Sequence, residues 1–322
     1  MRYRFADLVL QCEMPLSELP DAGRGPSECS VRVHRSARPV LPASDRWDHH
    51  WRSPAGEVVL SCAREGEDYR LGMPELATFL IEDGGRAITC RPREGLPPAT
   101  LEHLLIDQVL PRVLTHRGRL VIHAGSVVTP HGAVAFLGDS GAGKSTLCAE
   151  FATAGHSLLG DDGIVVRPAA SGFEALATYP GLRLLPDPLE VLFDARTSGA
   201  PVAHYSDKRR MDRNSPNLAF STGPEPLLAL YVLDTDVEIG IGPLPDRDAF
   251  MALVRASFQL HLDDKERSRE LFWRVGALLD ATPVRRLSFP RDLSRLGAVR
   301  DAVVEDAGKL VTLASSAGCA CS

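Results

Sequence analysis

Gly138-Asp139-Ser140-Gly141-Ala142-Gly143-Lys144-Ser145-Thr146 decides how the rest of the chain is read. The apolar run Ala133-Val134-Ala135-Phe136-Leu137 feeds into it, and Leu147, Phe151 and Ala154 follow at helical spacing. Strand, glycine-rich turn and helix in that order are what a phosphate-binding loop requires. Glycines let the backbone close around oxygen, and amide N–H groups converge on it at the helix N-terminus. Lys144 adds a point charge for the outer phosphates, and Ser145 offers a hydroxyl to Mg²⁺. The chain has only four lysines (Lys144, Lys208, Lys265 and Lys309), so a lysine at this place by accident is improbable.

Working outward, the loop sits in a chain of 322 residues, 44% hydrophobic and 24% charged, enough for one large domain or two moderate ones. A formal net charge of −6 argues against a general nucleic-acid or membrane-surface binder. Seven scattered cysteines, no secretory signal and no apolar run of membrane-spanning length point to a reduced cytoplasm with free thiols. Oligomeric state is open, a homo-oligomer included.

Upstream, residues 1–98 read as β-rich. Short apolar and β-branched clusters such as Leu8-Val9-Leu10, Val58-Val59-Leu60 and Ala87-Ile88-Thr89 alternate with turn residues, and Glu82-Asp83-Gly84-Gly85 reads as a hairpin turn. His49-His50 between Trp47 and Trp51 invites a metal-site reading, but neighbours in an extended chain point in opposite directions, which favours packing. A helical pattern starts at Thr100 as cap, with Glu102 in the first turn, and Pro111 divides it before Gly118. His123 follows in an apolar strand.

Downstream of the loop helix, Leu158-Leu159-Gly160-Asp161-Asp162-Gly163-Ile164-Val165-Val166 sets two acids between strand-forming residues. Adjacent carboxylates there are costly unless something uses their charge, although a plain hairpin turn explains them as well. Tyr179-Pro180-Gly181-Leu182-Arg183-Leu184 is an irregular apolar segment with one arginine. Lys208-Arg209-Arg210 is a short basic cluster, either a solvated loop or a clamp on phosphoryl oxygens. Residues 227–234 form a buried-strand candidate ending in Asp234. Residues 250–256, 268–279 and 293–304 have helical spacing, and 313–322 reads as a disordered tail whose Cys319-x-Cys321 pair is too isolated for a metal.

His123, the loop at 138–145, Gly155-His156-Ser157-Leu158 and Asp161-Asp162 stand in the order and near the spacing of the catalytic domain of HPr kinase/phosphorylase, which residues 119–166 resemble. The resemblance implies an α/β fold with a P-loop core of the HPr kinase and phosphoenolpyruvate carboxykinase type and a mixed sheet. The domains would be a β-rich amino-terminal domain (1–98), a kinase-like domain (99–312) and the tail (313–322). It implies ATP and Mg²⁺ as cofactors, and transfer of the γ-phosphoryl group to a serine of a protein or peptide partner. Carried over by position, the phosphates sit on Gly138 through Thr146. Lys144 steadies them, Ser145 and Asp161 hold the metal, Asp162 takes the hydroxyl proton, and His123 lies beside the acids. Arg183, Lys208 and Arg210 are the candidate clamp. The family's downstream Glu-Ile-Arg-Gly-Leu-Gly signature has its nearest counterpart in Pro180-Gly181-Leu182-Arg183-Leu184, which lacks the glutamate and leaves Asp187 as a candidate second metal ligand. The first hundred residues also differ from the usual amino-terminal domain. Shorter bacterial HPr-kinase-like proteins, some acting on lasso-peptide precursors, are more similar and share the Tyr-Pro-x-x-Arg-Leu and Lys-Arg-Arg stretches. That points to a serine on a ribosomally made peptide as acceptor.

Two further readings stay open. One is an ATPase motor or switch with Asp234 as its key carboxylate, and the other is a nucleotide-binding regulatory module without turnover.

Overall fold

The computed structural model describes all residues except 35–45, 54, 194–198, 213–214, 216–217 and 320–322, with backbone alone for 212 and 314–319. The architecture is mixed α/β, and the chain divides into two compact units. The first comprises Met1–Arg119 with Val202–Ser206 and Phe258–Arg269; the second comprises Leu120–Pro201, Asp207–Ser257 and Glu270–Ser322.

In the first unit eight strands, from Arg2–Phe5 to Ala87–Pro92, form one sheet. Two junctions, Leu8–Cys12 with Cys29–Val33 and Cys29–Val33 with Ala87–Pro92, are parallel; the others are antiparallel. The alternating burial along Ala77–Glu82 is the period-two pattern of a strand with one face in the core. The expected turn at 82–85 does join two antiparallel strands.

The helical stretch after Pro97 belongs to this unit, so the division falls at residue 119 rather than 98. Its helix starts at Pro98, two residues before the expected cap, because proline's fixed φ suits the first helical position. Thr100 and Glu102 therefore lie inside the helix, buried; Glu102 accepts from the Ser17 hydroxyl (3.0 Å) and the Glu18 N–H (2.9 Å). A π-type turn, Leu105–Val109, precedes Leu110–His116. Pro111 has no N–H to give to Asp107, and the ladder shifts there instead of breaking.

The second unit is built on a nine-stranded mixed sheet. Glu225–Thr235 is its central strand, parallel to Gly132–Leu137 on one side and to Val284–Phe289 on the other. Gly125–Thr129 runs antiparallel to Gly132–Leu137 and carries Ser157–Gly160 on its far edge. Ile164–Pro168 pairs instead with Leu120–Ile122 and Phe173–Ala177. The strands on either side of Asp161-Asp162 thus take different partners, which overturns the hairpin reading of those acids.

The helix Lys144–Thr153 packs its Leu147, Cys148 and Phe151 into an apolar cluster with Phe136, Tyr231 and Val299. A small third sheet sets Gly181–Leu184 against Arg209–Asp212, with Arg183 opposite Arg210. The last helix runs from Leu296 to Cys319, past the expected start of the tail at 313; residues 320–322, Cys321 among them, lie outside the described residues. Among the described residues no helix is long and apolar enough to cross a membrane. Cys12, Cys29, Cys62, Cys90 and Cys148 are free and buried.

Candidate functional site

The site lies in the second unit, where Gly132–Leu137 ends and the chain turns sharply before Lys144–Thr153. The turn works because its glycines take left-handed conformations: φ is +81° at Gly141 and +97° at Gly143, which a side chain would strain. Asp139, Ser140 and Gly141 are exposed at its tip, while Ala142 donates its N–H to the Asp139 carbonyl (3.0 Å) and tightens the curl. No side chain caps the helix that follows Gly143, so its leading N–H groups have no partner from a cap residue. Ser145 and Thr146, in its first turn, are half-buried.

Lys144 is only 7% exposed. Its Nζ donates to the carbonyls of Gly138 (2.7 Å) and Asp139 (3.1 Å), bridging the start of the turn to the helix. Burial lowers its pKa, and the nearby charges of Asp161 and Asp162 oppose that shift. Those two acids therefore share the lysine's electrostatic surroundings.

Asp161 is 3% exposed. Its Oδ2 accepts the backbone N–H of Arg183 (2.9 Å), while its buried Oδ1 has no partner in hydrogen-bonding geometry. Burial first, and the Asp162 charge second, raise its pKa from 3.8 to about 7; the Arg183 N–H and the Ser145 hydroxyl favour the anion. The carboxylate sits poorly satisfied beside the loop helix.

Asp162 is held more firmly. Its Oδ2 takes the Tyr179 hydroxyl (3.0 Å) and pairs with Arg183 Nη1 (3.2 Å). Its backbone carbonyl accepts from His123 Nδ1 (2.8 Å). Because a carbonyl can only accept, Nδ1 carries a proton. His123 itself falls in a gap between Leu120–Ile122 and Gly125–Thr129, where its N–H donates to the Ala256 carbonyl (2.7 Å). Thr178 closes the corner from below, its hydroxyl and N–H both reaching the Gly163 carbonyl (2.9 and 3.2 Å).

Arg183, 2% exposed, lies with its guanidinium carbon 5.3 Å from the centre of the Tyr179 ring. Lys208 is half-buried and close enough for its charge to act on Lys144 and Asp161 alike. Arg210 faces Arg183 across the ladder.

His123, Lys144, Ser145, Asp161, Asp162, Arg183 and Lys208 all lie in one corner of this unit. Two other candidates are exposed. Asp187 is exposed in the first turn of Pro186–Leu192, and among the described residues no three acids, histidines or cysteines gather as a metal cluster. Asp234 is exposed, its Oδ1 accepting the Thr235 N–H (2.8 Å).

Two residues were missed. Tyr179 stands in the Tyr-Pro-x-x-Arg-Leu stretch without an assigned role, and its partner is 17 residues away in sequence. Arg291 donates from Nη1 to the Gly141 carbonyl (2.9 Å) and from Nε to the Thr235 hydroxyl (3.3 Å), fastening the loop's tip to the end of the central strand. Nothing in its local sequence distinguishes it from other exposed arginines.

No family profile matches the chain, and no curated protein matches it either. Among solved structures, the HPr(Ser) kinase/phosphatase from Coxiella burnetii aligns over 62% of this chain and 96% of that chain, with 12% identity and a TM-score of 0.29. So loose a likeness transfers no residue roles.

Proposed function

We propose that this chain is an ATP- and Mg²⁺-dependent kinase that moves the γ-phosphoryl group to a serine hydroxyl of a protein or peptide. The observation that carries the reading is the meeting of the Asp161-Asp162 corner with Lys144 and Ser145, at a strand-to-helix turn whose Gly138, Gly141 and Gly143 take positive φ. Phosphoryl transfer asks a protein mainly for in-line positioning and charge neutralisation, and this corner offers both.

In the proposed reaction the P-loop, residues 138–146, cradles the phosphates, with Lys144 and Lys208 as cations around them. Asp162 accepts the proton of the serine hydroxyl as its oxygen bonds to the γ-phosphorus. The bond from that phosphorus to the β,γ-bridging oxygen breaks, and its electron pair leaves on ADP. His123 holds the backbone of the base, and Arg183 and Arg210 line the transferring oxygens.

The donors fit a hard divalent cation. Asp161 has one buried oxygen without a partner, and the Ser145 hydroxyl lies beside the same carboxylate. Mg²⁺ ordinarily needs only one or two such protein ligands. When bound it would supply neutralisation of phosphate charge.

The preferred acceptor is a serine on a ribosomally made peptide. A reducing cytoplasm is the proposed setting, with the five free buried thiols in support.

Incubation with ATP, Mg²⁺ and synthetic serine peptides, read by intact mass, should add one phosphate. Asp162→Asn should bind nucleotide normally while transferring about 10²–10⁴-fold more slowly. Undiminished transfer by that variant would remove the base and the reading with it.

A further inference from the structure

Two residues in Gly181–Leu184 and one just before it act on the proposed base as a unit. Tyr179 donates its hydroxyl to Oδ2 of Asp162 (3.0 Å) and lays its ring beside the Arg183 guanidinium (5.3 Å), while Arg183 pairs with the same Oδ2 (3.2 Å). The ring can lie there because residue 181 has no side chain. A Cβ on Gly181 would stand 2.8 Å from Cε2 and 3.2 Å from Cδ2 of Tyr179, too close for either to stay. Gly181 has no left-handed φ to explain its presence, so the space it leaves is its structural contribution.

We infer that Tyr179 is a positioning residue: it holds Oδ2 of Asp162 so that Oδ1 is the oxygen presented to the acceptor hydroxyl, and Gly181 provides the room for it to do so. The inference rests on the proposed phosphoryl transfer, with Asp162 as base. A carboxylate free to rotate about its last torsion would spend part of its time with neither oxygen in line. Two donors on one oxygen remove that freedom, the order that positioning catalysis needs. His123 meets the same residue at its backbone carbonyl.

The test is steady-state kinetics on the full chain with ATP and a serine peptide. Tyr179→Phe keeps the ring and loses the donor; it should lower kcat about ten-fold or more with the KM for ATP unchanged, because a hydrogen bond to a charged group is lost only where the base acts. Gly181→Ala keeps the hydroxyl but displaces the ring, and should give the same loss of kcat at unchanged KM. Adding Tyr179→Phe to Asp162→Asn should cost nothing further, since the tyrosine acts through that carboxylate. A Tyr179→Phe enzyme with wild-type kcat overturns the inference. So does a parallel loss of nucleotide affinity, or an equal further loss on top of Asp162→Asn. Wild-type transfer by Asp162→Asn alone would instead bring down the base assignment, and the tyrosine's role with it.

Discussion

The two units bury charge in opposite ways. In the first unit Arg70, 1% exposed, pairs through Nε with Glu65 (2.6 Å) and stacks on Trp47, its guanidinium carbon 4.2 Å from the ring centre. Arg112, 7% exposed, donates Nη1 to the carbonyl and the side-chain oxygen of Gln108 (2.7 and 3.1 Å) and lies between Trp51 and Phe258 at 5.1 and 5.4 Å. Its partners are aromatic faces and a neighbour one turn back, so its charge serves packing. In the second unit Asp162 pairs with the buried Arg183, and the buried Asp161 lies within electrostatic reach of Lys144, so acids and cations share one corner. A fold gains nothing by burying two carboxylates side by side. Adjacent acids held among buried cations are the arrangement expected where something other than folding is served.

The largest effect that would sharpen this contrast comes from Arg183→Met. Removing one partner of a buried ion pair leaves the other uncompensated, at a typical cost of about 3–5 kcal/mol. Denaturant titration of this variant should show a loss of that size. A loss under about 1 kcal/mol would mean that Tyr179 alone satisfies Asp162 and that the pair is no harder to break than one at the surface.

A smaller effect should come from pH. The folded-state pKa of Asp161 is raised from 3.8 to about 7, chiefly by burial. The folded protein then holds this proton more tightly than the unfolded chain does. Its contribution to stability is complete below about pH 4 and is lost as pH rises through about 7. In ligand-free protein with a chelator present, melting temperature should therefore fall more between those limits in wild type than in Asp161→Asn. Parallel profiles for the two would mean that the carboxylate is already stabilised as an anion in the fold.

What could be read from sequence divides along the same line. The glycine turn was legible because its signal is local: an apolar strand, glycines where φ is positive and a helix all lie within about twenty residues of one another. His123 and the acid pair were legible through order and spacing along the chain. The pairing around the acids was not. Ser157–Gly160 and Ile164–Pro168 are separated by three residues, yet they take partners from Gly125–Thr129 and Leu120–Ile122, and a turn motif carries no information about that choice. The role of Tyr179 was hidden for a related reason, since the Tyr-Pro-x-x-Arg-Leu stretch gives no partner for the tyrosine until the fold brings Asp162 to its hydroxyl. The π-type turn ahead of Pro111 was half legible: proline forbids the regular ladder, but whether the helix breaks or shifts depends on what packs around it.

The smallest expected effect is the most informative about the first unit. Arg112→Met keeps the length and the apolar contacts of the side chain while removing its charge. Burial has already pulled this guanidinium down to about 10, and among the described residues no carboxylate offsets that desolvation, the Cys62 thiol acting in the other direction. Replacing a buried charge by an apolar group of similar volume is often neutral or stabilising, so this variant should lie within about 1 kcal/mol of wild type, or above it, in the same denaturant titration. Phosphoryl transfer by the variant should be unchanged, because every group assigned to the reaction belongs to the other unit. A loss as large as that expected for Arg183→Met would mean that the faces of Trp51 and Phe258 hold the cation as firmly as an acid does, and the contrast between the two units would then be one of partner chemistry rather than of purpose.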